Sequence, residues 1–202
     1  YGGKARFNVM NAMAAAGAAF AQGAHLHDIR AGLTGFLPTW DSAPGRLNHI
    51  DVNGVHGFVD YAHNAAGLRA LGEFLLSYLD GLTKSSHDIA RRRCIGVVGT
   101  AGDRRDEDII DLGRTAAEFF DVIIIREDKK RRGREVGEVA GLIAEGVSQQ
   151  PNGRTRQTVT ILDEVEAARH ALSLANPGDV LAVMGDDMQA LADTLMDAAH
   201  SG

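Results

Sequence analysis

Three short apolar runs constrain the fold of this chain more than any other feature of its sequence. They are Cys94–Gly99, Asp121–Ile125 and Asp179–Met184, and apart from the two initial aspartates they are almost wholly apolar. A strand without alternating polar residues must be covered on both faces. Each run leads into a helical pattern, and right-handed crossovers between such units build a parallel sheet. The sequence therefore predicts a Rossmann-like α/β fold, a mostly parallel sheet with helices on both faces.

Turn residues and periodicity predict the remaining elements. Asn53-Gly54 is a strong signal for a hairpin between Leu47–Val52 and Val55–Tyr61, which adds one antiparallel strand. The other predicted segments are a strand at Thr158–Leu162, a polar loop at Thr83–Arg91, and helices at Ala65–Leu82, Asp106–Phe119, Arg134–Gln149, Glu164–Ala175 and Asp187–Ala199.

The first forty residues differ from the rest of the chain. Phe7–Gln22 and Leu26–Leu33 are predicted helices, and the alanine-rich first helix indicates close packing against another surface. Such a pair is too small to form its own core. Thr34–Ala43 is predicted as a linker. We therefore expect residues 1–40 to be the helical end of a preceding domain, and residues 41–202 to be a second domain. Because the chain does not begin with Met, we expect it to derive from a longer protein.

Charge and cysteine content exclude several classes of function. The net charge of −6 provides no general attraction to nucleic acid or to an anionic membrane. The basic cluster Lys129–Arg132 has no interleaved aromatic residues for base stacking, so we interpret it as a solvated loop. Cys94 is the single cysteine, which suits a reducing cytoplasm. No apolar run approaches the length of a membrane span. We predict a cytoplasmic protein.

The junction Asp60–Asn64 carries a carboxylate, an imidazole and an amide where a predicted strand meets a helix. Open α/β sheets bind ligands at such strand ends, and an acidic residue there can accept hydrogen bonds from ribose hydroxyls. Arg46, on the turn that precedes the hairpin, can supply a cation for phosphates. The alternative is that Asp60 caps the following helix and that Arg46 is a surface turn residue. The pairing of both features across one hairpin favours a nucleotide site.

Three motifs, in this order, resemble the second half of a Mur-type ligase: Asn8 to Ala15, Pro44-Gly45-Arg46 and Asp60-Tyr61-Ala62-His63-Asn64. The resemblance implies a C-terminal domain that closes over ATP held by a central domain. It also implies that ATP phosphorylates a carboxylate, and that an amine then attacks the acyl phosphate. By motif match, Arg46 contacts the ATP phosphates, Asp60 the ribose, and Asn8 and Asn11 the adenine side. His63 and Asn64 line the same cleft.

Further motifs resemble the branch of this family that adds arginine to the side-chain carboxylates of an aspartate polymer. They are Gly102–Asp108, Ile124–Asp128, Arg132-Gly133-Arg134 and Gly137-Glu138. In related ligases the corresponding strand-end loop recognises the added amino acid. A guanidinium favours carboxylate partners. The predicted amine-binding residues are therefore Arg126, Glu127, Asp128, Asp103 and Asp106. On the same resemblance, the basic cluster is an alternative contact for the aspartate polymer.

No phosphate loop of the form Gly-x-x-x-x-Gly-Lys-Ser/Thr occurs in the chain. The resemblance places that loop and the Mg²⁺ ligands in the central domain, so we expect no catalytic residue here and no ligation by the chain alone. We predict no metal bound by its histidines, no nucleic-acid or membrane partner, and a homo-oligomeric full-length protein. Two alternatives stay open: another Mur-type ligase with a different amine substrate, and a non-catalytic Rossmann-like module that binds a small ligand.

Overall fold

A computed structural model describes residues 2–37, 39–85 and 92–201. Two helices precede an alternation of strands and helices. In chain order the elements are α1 Arg6–Ala21, α2 Leu26–Gly35, β1 Asn48–Val52, β2 Val55–Asp60, α3 Ala65–Ser85, β3 Cys94–Val98, α4 Asp106–Phe119, β4 Val122–Ile125, α5 Glu138–Ser148, β5 Gln157–Thr160, α6 Glu164–Leu174, β6 Val180–Met184 and α7 Met188–His200. None of the helices in these ranges combines the length and apolar character needed to cross a bilayer.

The six strands form one sheet in the order β1-β2-β6-β3-β4-β5. Only β1 runs antiparallel to its neighbour, because it is joined to β2 by the Asn53-Gly54 turn. The other four pairings are parallel. This confirms the predicted mostly parallel sheet with one antiparallel hairpin strand. It also places the carboxyl ends of β2, β6, β3 and β4 side by side along one edge, where open α/β sheets bind ligands.

Each face of the sheet has its own hydrophobic core. Phe58, Phe74 and Phe120 belong to the core under α3, α4 and α5, and Val59 and Leu191 to the core under α6 and α7. All five residues of β3 and of β6 are buried, as the continuous apolar runs require. The two covered faces make the sheet a rigid support for the polar groups at its carboxyl edge.

Helices α4 and α5 approach each other through glycine. A Cβ atom at Gly113 would lie 2.1 Å from the carbonyl oxygen of Ile143, and one at Gly146 would lie 2.0 Å from that of Ile110. Any larger residue would force the two helices apart, because backbone atoms cannot yield as a side chain can. These two glycines therefore allow the close approach of α4 and α5.

Several predicted boundaries were wrong. Helix α3 continues to Ser85, so the predicted loop at Thr83–Arg91 is helical over 83–85, while residues 86–91 lie outside the described ranges. Helix α2 includes the first two residues of the predicted linker. Helix α5 begins at Glu138 rather than Arg134, because Gly137 adopts a left-handed conformation with φ of 83°. Strand β5 lies slightly earlier than predicted, at Gln157–Thr160.

The first helix does not show the close packing that its small residues predicted. No residue of α1 is buried, and Met10 and Met13 are each 69% exposed. Lys4, just before the helix, donates a 3.1 Å hydrogen bond from Nζ to the carbonyl oxygen of Ser77 on α3. The assignment of residues 1–40 to a preceding domain stays a prediction.

Candidate functional site

The candidate site lies along the carboxyl edge of the sheet. Asp60 ends β2, Thr100 follows β3, Arg126 follows β4 and Gly185 follows β6. Because these strands are neighbours in the sheet, residues distant in sequence meet here. All four positions are buried, so this edge holds polar groups away from water.

Asp60 is held by two backbone amides. Its Oδ2 accepts from Leu47 N at 2.9 Å, and its Oδ1 accepts from Ala62 N at 2.9 Å. Burial raises the pKa of Asp60 to about 6, although these two amides and the charge of Arg46 act in the opposite direction. The carboxylate thus fixes the turn before β1 to the loop after β2. Each of its oxygens keeps a second lone pair that can accept from a ligand.

Arg46 lies beside this carboxylate on a constrained turn. Gly45 and Leu47 both adopt positive φ values, 68° and 54°. Tyr61 N donates a 2.9 Å hydrogen bond to Gly45 O, and the Arg46 guanidinium carbon lies 5.5 Å from the centre of the Tyr61 ring. Such a distance allows a cation–π contact. The exposed guanidinium is therefore oriented by Tyr61, next to Asp60.

Two adjoining clefts contain every residue predicted to bind the nucleotide. A cleft of about 750 Å³ lies between α1, α2 and the turn that carries Arg46, and Asn8 and Asn11 line it. A cleft of about 180 Å³ shares Asn11 and Arg46 with it and adds Asp60, His63 and Asn64. The structure thus brings together six residues that span 57 positions of sequence, from Asn8 to Asn64.

A third cleft, of about 160 Å³, opens on the other side of His63. It contains three of the five residues predicted to bind the amine, namely Asp103, Arg126 and Asp128. Thr100 connects this cleft to its neighbour, since its hydroxyl donates a 2.8 Å hydrogen bond to His63 O. Residues from both predicted sets therefore meet along one strand-end edge.

Arg126 is the buried cation of the third cleft, with 2% of its surface exposed. Its Nε donates to Met184 O at 3.1 Å, and its Nη1 donates to Asp128. The same nitrogen lies 3.8 Å from Oε2 of Glu164, which is also buried. Residue 99 must be glycine here, because a Cβ atom would lie 2.4 Å from Arg126 Nε. Two carboxylates thus balance this desolvated charge.

The other two predicted amine-binding residues lie in hydrogen-bond networks outside this cleft. Glu127 accepts from Gly137 N at 2.9 Å and from Ala140 N at 3.0 Å, so its carboxylate stabilises the start of α5. Asp106 accepts from Arg134 Nη2 at 2.7 Å. Arg134 also donates to the carbonyl oxygens of Gly102 and Arg104. Substrate contact by Glu127 and Asp106 stays a prediction, and their geometry favours a role in holding the loops.

Sequence reasoning missed several residues of the site. Tyr61 lines the second and third clefts, and Arg104 and Asp186 line the third. Asp186 could have been found, because it follows the apolar run Asp179–Met184 just as Asp128 follows its own run. Glu164 was missed because it looks like an ordinary first-turn residue. In the fold it accepts from Asp186 N at 2.9 Å and positions that loop.

The basic cluster is divided between the site and the solvent. All four of its residues are exposed, but only Arg132 lines the third cleft, where it pairs with Asp103. Across the described ranges, no group of three or more histidine, cysteine, aspartate or glutamate side chains is arranged to hold a metal ion. The edge of the sheet thus offers the exposed guanidinium of Arg46 to an anion, and beside it a cleft that contains both carboxylates and guanidinium groups.

Comparisons with known proteins show which family this chain is similar to. A family model described as Mur ligase, glutamate ligase domain, matches residues 45–186. Cyanophycin synthetase of Trichormus variabilis is 39% identical over 188 residues, 93% of this chain and 19% of that protein. The Synechocystis enzyme of the same name is 43% identical over 171 residues, 85% of this chain and 18% of its own length. This chain therefore spans about a fifth of these relatives.

The fold is also found in solved structures. Mycobacterium tuberculosis folylpolyglutamate synthase, complexed with ADP and AMPPCP, superposes with a TM-score of 0.54 at 21% identity. The match covers 86% of this chain and 35% of that one. At this level of identity the likeness concerns the fold alone.

Proposed function

The chain belongs to the Mur ligase family, and on that basis we propose that it forms the C-terminal domain of a cytoplasmic, ATP-dependent amide ligase resembling cyanophycin synthetase. The proposed reaction joins arginine to an aspartate side-chain carboxylate through an acyl phosphate. One observation carries the proposal: the six predicted nucleotide residues line two adjoining clefts, and a cleft lined by three aspartates and three arginines opens beside them.

The proposed task of the first two clefts is to hold ATP against a central domain. Arg46 is exposed and oriented by Tyr61, so it can neutralise phosphate charge. Asp60 supplies lone pairs to the ribose hydroxyls. Asn8 and Asn11, on α1, line the larger cleft, and their amides are proposed to face the adenine. The clefts thus offer a cation and neutral hydrogen-bonding groups.

The proposed task of the third cleft is to bind and orient the amine substrate. Asp103, Asp128 and Asp186 offer carboxylates to an arginine guanidinium, in competition with Arg132 and Arg126. The buried Arg126 can instead attract the substrate's own carboxylate. A zwitterionic amino acid matches a cleft that contains both charges. This leaves its α-amino group to be directed towards His63 and the nucleotide clefts.

The chain alone is expected not to catalyse ligation. It has no phosphate loop, and none of its described side chains forms a magnesium site. We propose that the phosphate loop and the Mg²⁺ ligands belong to a central domain, to which α1 and α2 also belong. Measurable amide formation by the purified chain with ATP, arginine and an aspartate acceptor would contradict this.

A test of the nucleotide role uses Arg46→Met in the full-length protein. We expect the KM for ATP to rise at least tenfold, while the KM for arginine changes little. Arg169→Met is a matched control, because that guanidinium is exposed on α6 and pairs with Glu166. An unchanged KM for ATP in the Arg46 variant would count against the proposed clefts.

The two alternatives are separated by different measurements. A panel of arginine, lysine, ornithine and glutamate distinguishes this ligase from one with another amine substrate. Nucleotide binding without turnover of any amine by the full-length protein would favour a non-catalytic binding module. Sedimentation of the full-length protein tests the predicted homo-oligomer.

A further inference from the structure

Two loops from neighbouring strands form most of the third cleft. The loop after β3 contributes Asp103 and Arg104, and the loop after β4 contributes Asp128 and Arg132. Strands β3 and β4 pair directly in the sheet, so the two loops start side by side. The spacing of the charged groups in the cleft therefore depends on how these two loops are held against each other.

A tight turn places the second loop directly on the first. Arg134 N donates a 3.2 Å hydrogen bond to Arg131 O. Between them, Arg132 and Gly133 both adopt positive φ values, 52° and 96°, as the central residues of a type I′ turn do. A Cβ atom at Gly102 would collide with the carbonyl oxygen of Arg131. The backbones of the two loops are therefore in direct contact at this turn.

The guanidinium of Arg134 fixes this contact. Its Nε donates to Gly102 O at 2.8 Å, and its Nη2 donates to Arg104 O at 2.7 Å. Nη2 also donates to Asp106 at 2.7 Å, and Nη1 donates to Glu138 at 2.6 Å. Only 16% of the Arg134 side chain is exposed. One planar group therefore joins the loop after β3 to the first residues of α4 and α5.

We propose that Arg134 is a positioning residue of the amine site, which sets the spacing at which the two loops bind the amine substrate. This inference rests on the proposed ligase function. Arg134 does not itself line the third cleft, but the two carbonyl groups that it holds flank Asp103, whose carboxylate does. Lysine cannot replace it, because one ammonium group cannot reproduce the planar fork of donors that these partners require.

The test measures the steady-state kinetics of Arg134→Lys and Arg134→Met in the full-length protein. Because the loops are then free to shift, we expect the KM for arginine to rise roughly tenfold in both variants. The KM for ATP should change little, since the predicted nucleotide residues line the other two clefts. A merely structural role would lower the thermal unfolding midpoint without separating the two KM values.

Arg114→Met is the matched control. Arg114 also joins α4 to the end of α5, since its Nε donates a 2.9 Å hydrogen bond to Gln149 Oε1, but it lines none of the three clefts. Both of its KM values should equal those of the wild type. A rise in the KM for arginine equal to that in Arg134→Met would overturn the specific role of Arg134.

Gly102→Ala covers the case in which the Arg134 variants do not fold. It keeps Arg134 but pushes the two loops apart, so the KM for arginine should again rise while the KM for ATP stays the same. An unchanged KM for arginine in Gly102→Ala, or in an Arg134 variant that folds, would overturn the positioning role and leave the ligase function standing. Failure of the wild-type full-length protein to use any amine would instead defeat the proposed function on which this inference rests.

Discussion

The hydroxyl of Thr100 donates a 2.8 Å hydrogen bond to the backbone carbonyl of His63. It joins the loop after β3 to the loop after β2. Since His63 lines both the second and the third cleft, this bond lies between the proposed nucleotide and amine sites. Both partners come from strand ends that are not adjacent, because β6 lies between β2 and β3.

Replacing Thr100 with valine removes this hydrogen bond while keeping the shape of the side chain. We expect a loss of about 1 kcal/mol in the free energy of unfolding, because the carbonyl of His63 loses its donor. We also expect a lower kcat in the full-length protein, since the two substrates are then less well aligned. Denaturant unfolding and steady-state kinetics measure these effects.

Thr115→Val provides the matched control for this change. Thr115 lies buried on α4, and its Oγ1 has no hydrogen-bond partner among the described residues. Its replacement should leave stability unchanged or improve it. A larger loss of stability in Thr115→Val than in Thr100→Val would contradict this interpretation of the Thr100 bond.

The raised pKa of Asp60 predicts that the stability of the fold depends on pH. Its folded-state pKa of about 6 lies above the ordinary value of 3.8. A raised pKa means that the folded state favours the protonated form of Asp60. The stability that this protonation contributes is therefore fully present below about pH 4, and it is lost as the pH rises through 6. The difference of roughly two pKa units corresponds to about 3 kcal/mol. In the wild type, the free energy of unfolding measured with urea should therefore fall as the pH is raised from 4 to 7.

Asp60→Asn should make the free energy of unfolding less dependent on pH, because an amide does not titrate. The same variant loses one of two acceptors for Leu47 N and Ala62 N, so its stability at pH 4 should be lower than that of the wild type. An identical slope in both proteins would show that other groups cause the pH dependence.

Glu127 and Asp128 are adjacent but should respond differently to loss of charge. Glu127→Gln removes one acceptor from the amides at the start of α5, so we expect a loss of about 1 kcal/mol in stability and little change in the KM for arginine. Asp128→Asn, in the third cleft, should raise the KM for arginine. Kinetics of the full-length protein and denaturant unfolding of both variants distinguish the two roles. A raised KM for arginine in Glu127→Gln, with no change in Asp128→Asn, would indicate that Glu127 contacts the substrate.

Arg126→Met should be strongly destabilising. The change leaves Asp128 and the buried Glu164 without their cation, and breaking a buried pair from one side costs about 3–5 kcal/mol. Arg105→Met is the control, because that arginine pairs with Asp108 on the exposed face of α4 and should contribute little. Thermal unfolding of both variants checks the contrast. Equal midpoints would show that the Arg126 network is not needed for folding.

Sequence patterns anticipated the architecture well, and the residues that the motif match assigned to the nucleotide lie together in the fold, while their role stays a prediction. The apolar runs required a sheet covered on both faces, and Asn53-Gly54 required a hairpin. The motif match placed Asp60 and Arg46 in one site before the fold was known. The boundaries of α3 and α5 were less predictable, because packing and the left-handed Gly137 decide where those helices end or begin.

The amine cleft was only partly predictable. Five residues near two strand ends were chosen because each carries suitable charge, and three of them line the cleft. Glu127 differs from Asp128 by one position, and successive residues of an extended chain point in opposite directions. One carboxylate therefore meets the amides of α5, whereas the other meets Arg126.

The sequence by itself determined the elements of this protein, since periodicity and turn residues act over a few neighbouring positions. Only the tertiary structure decided which polar groups meet. The order of strands placed Thr100 beside His63, and the hairpin register placed His49 beside His56. Such contacts depend on the positions of several strands at once, and a local sequence pattern carries no record of them.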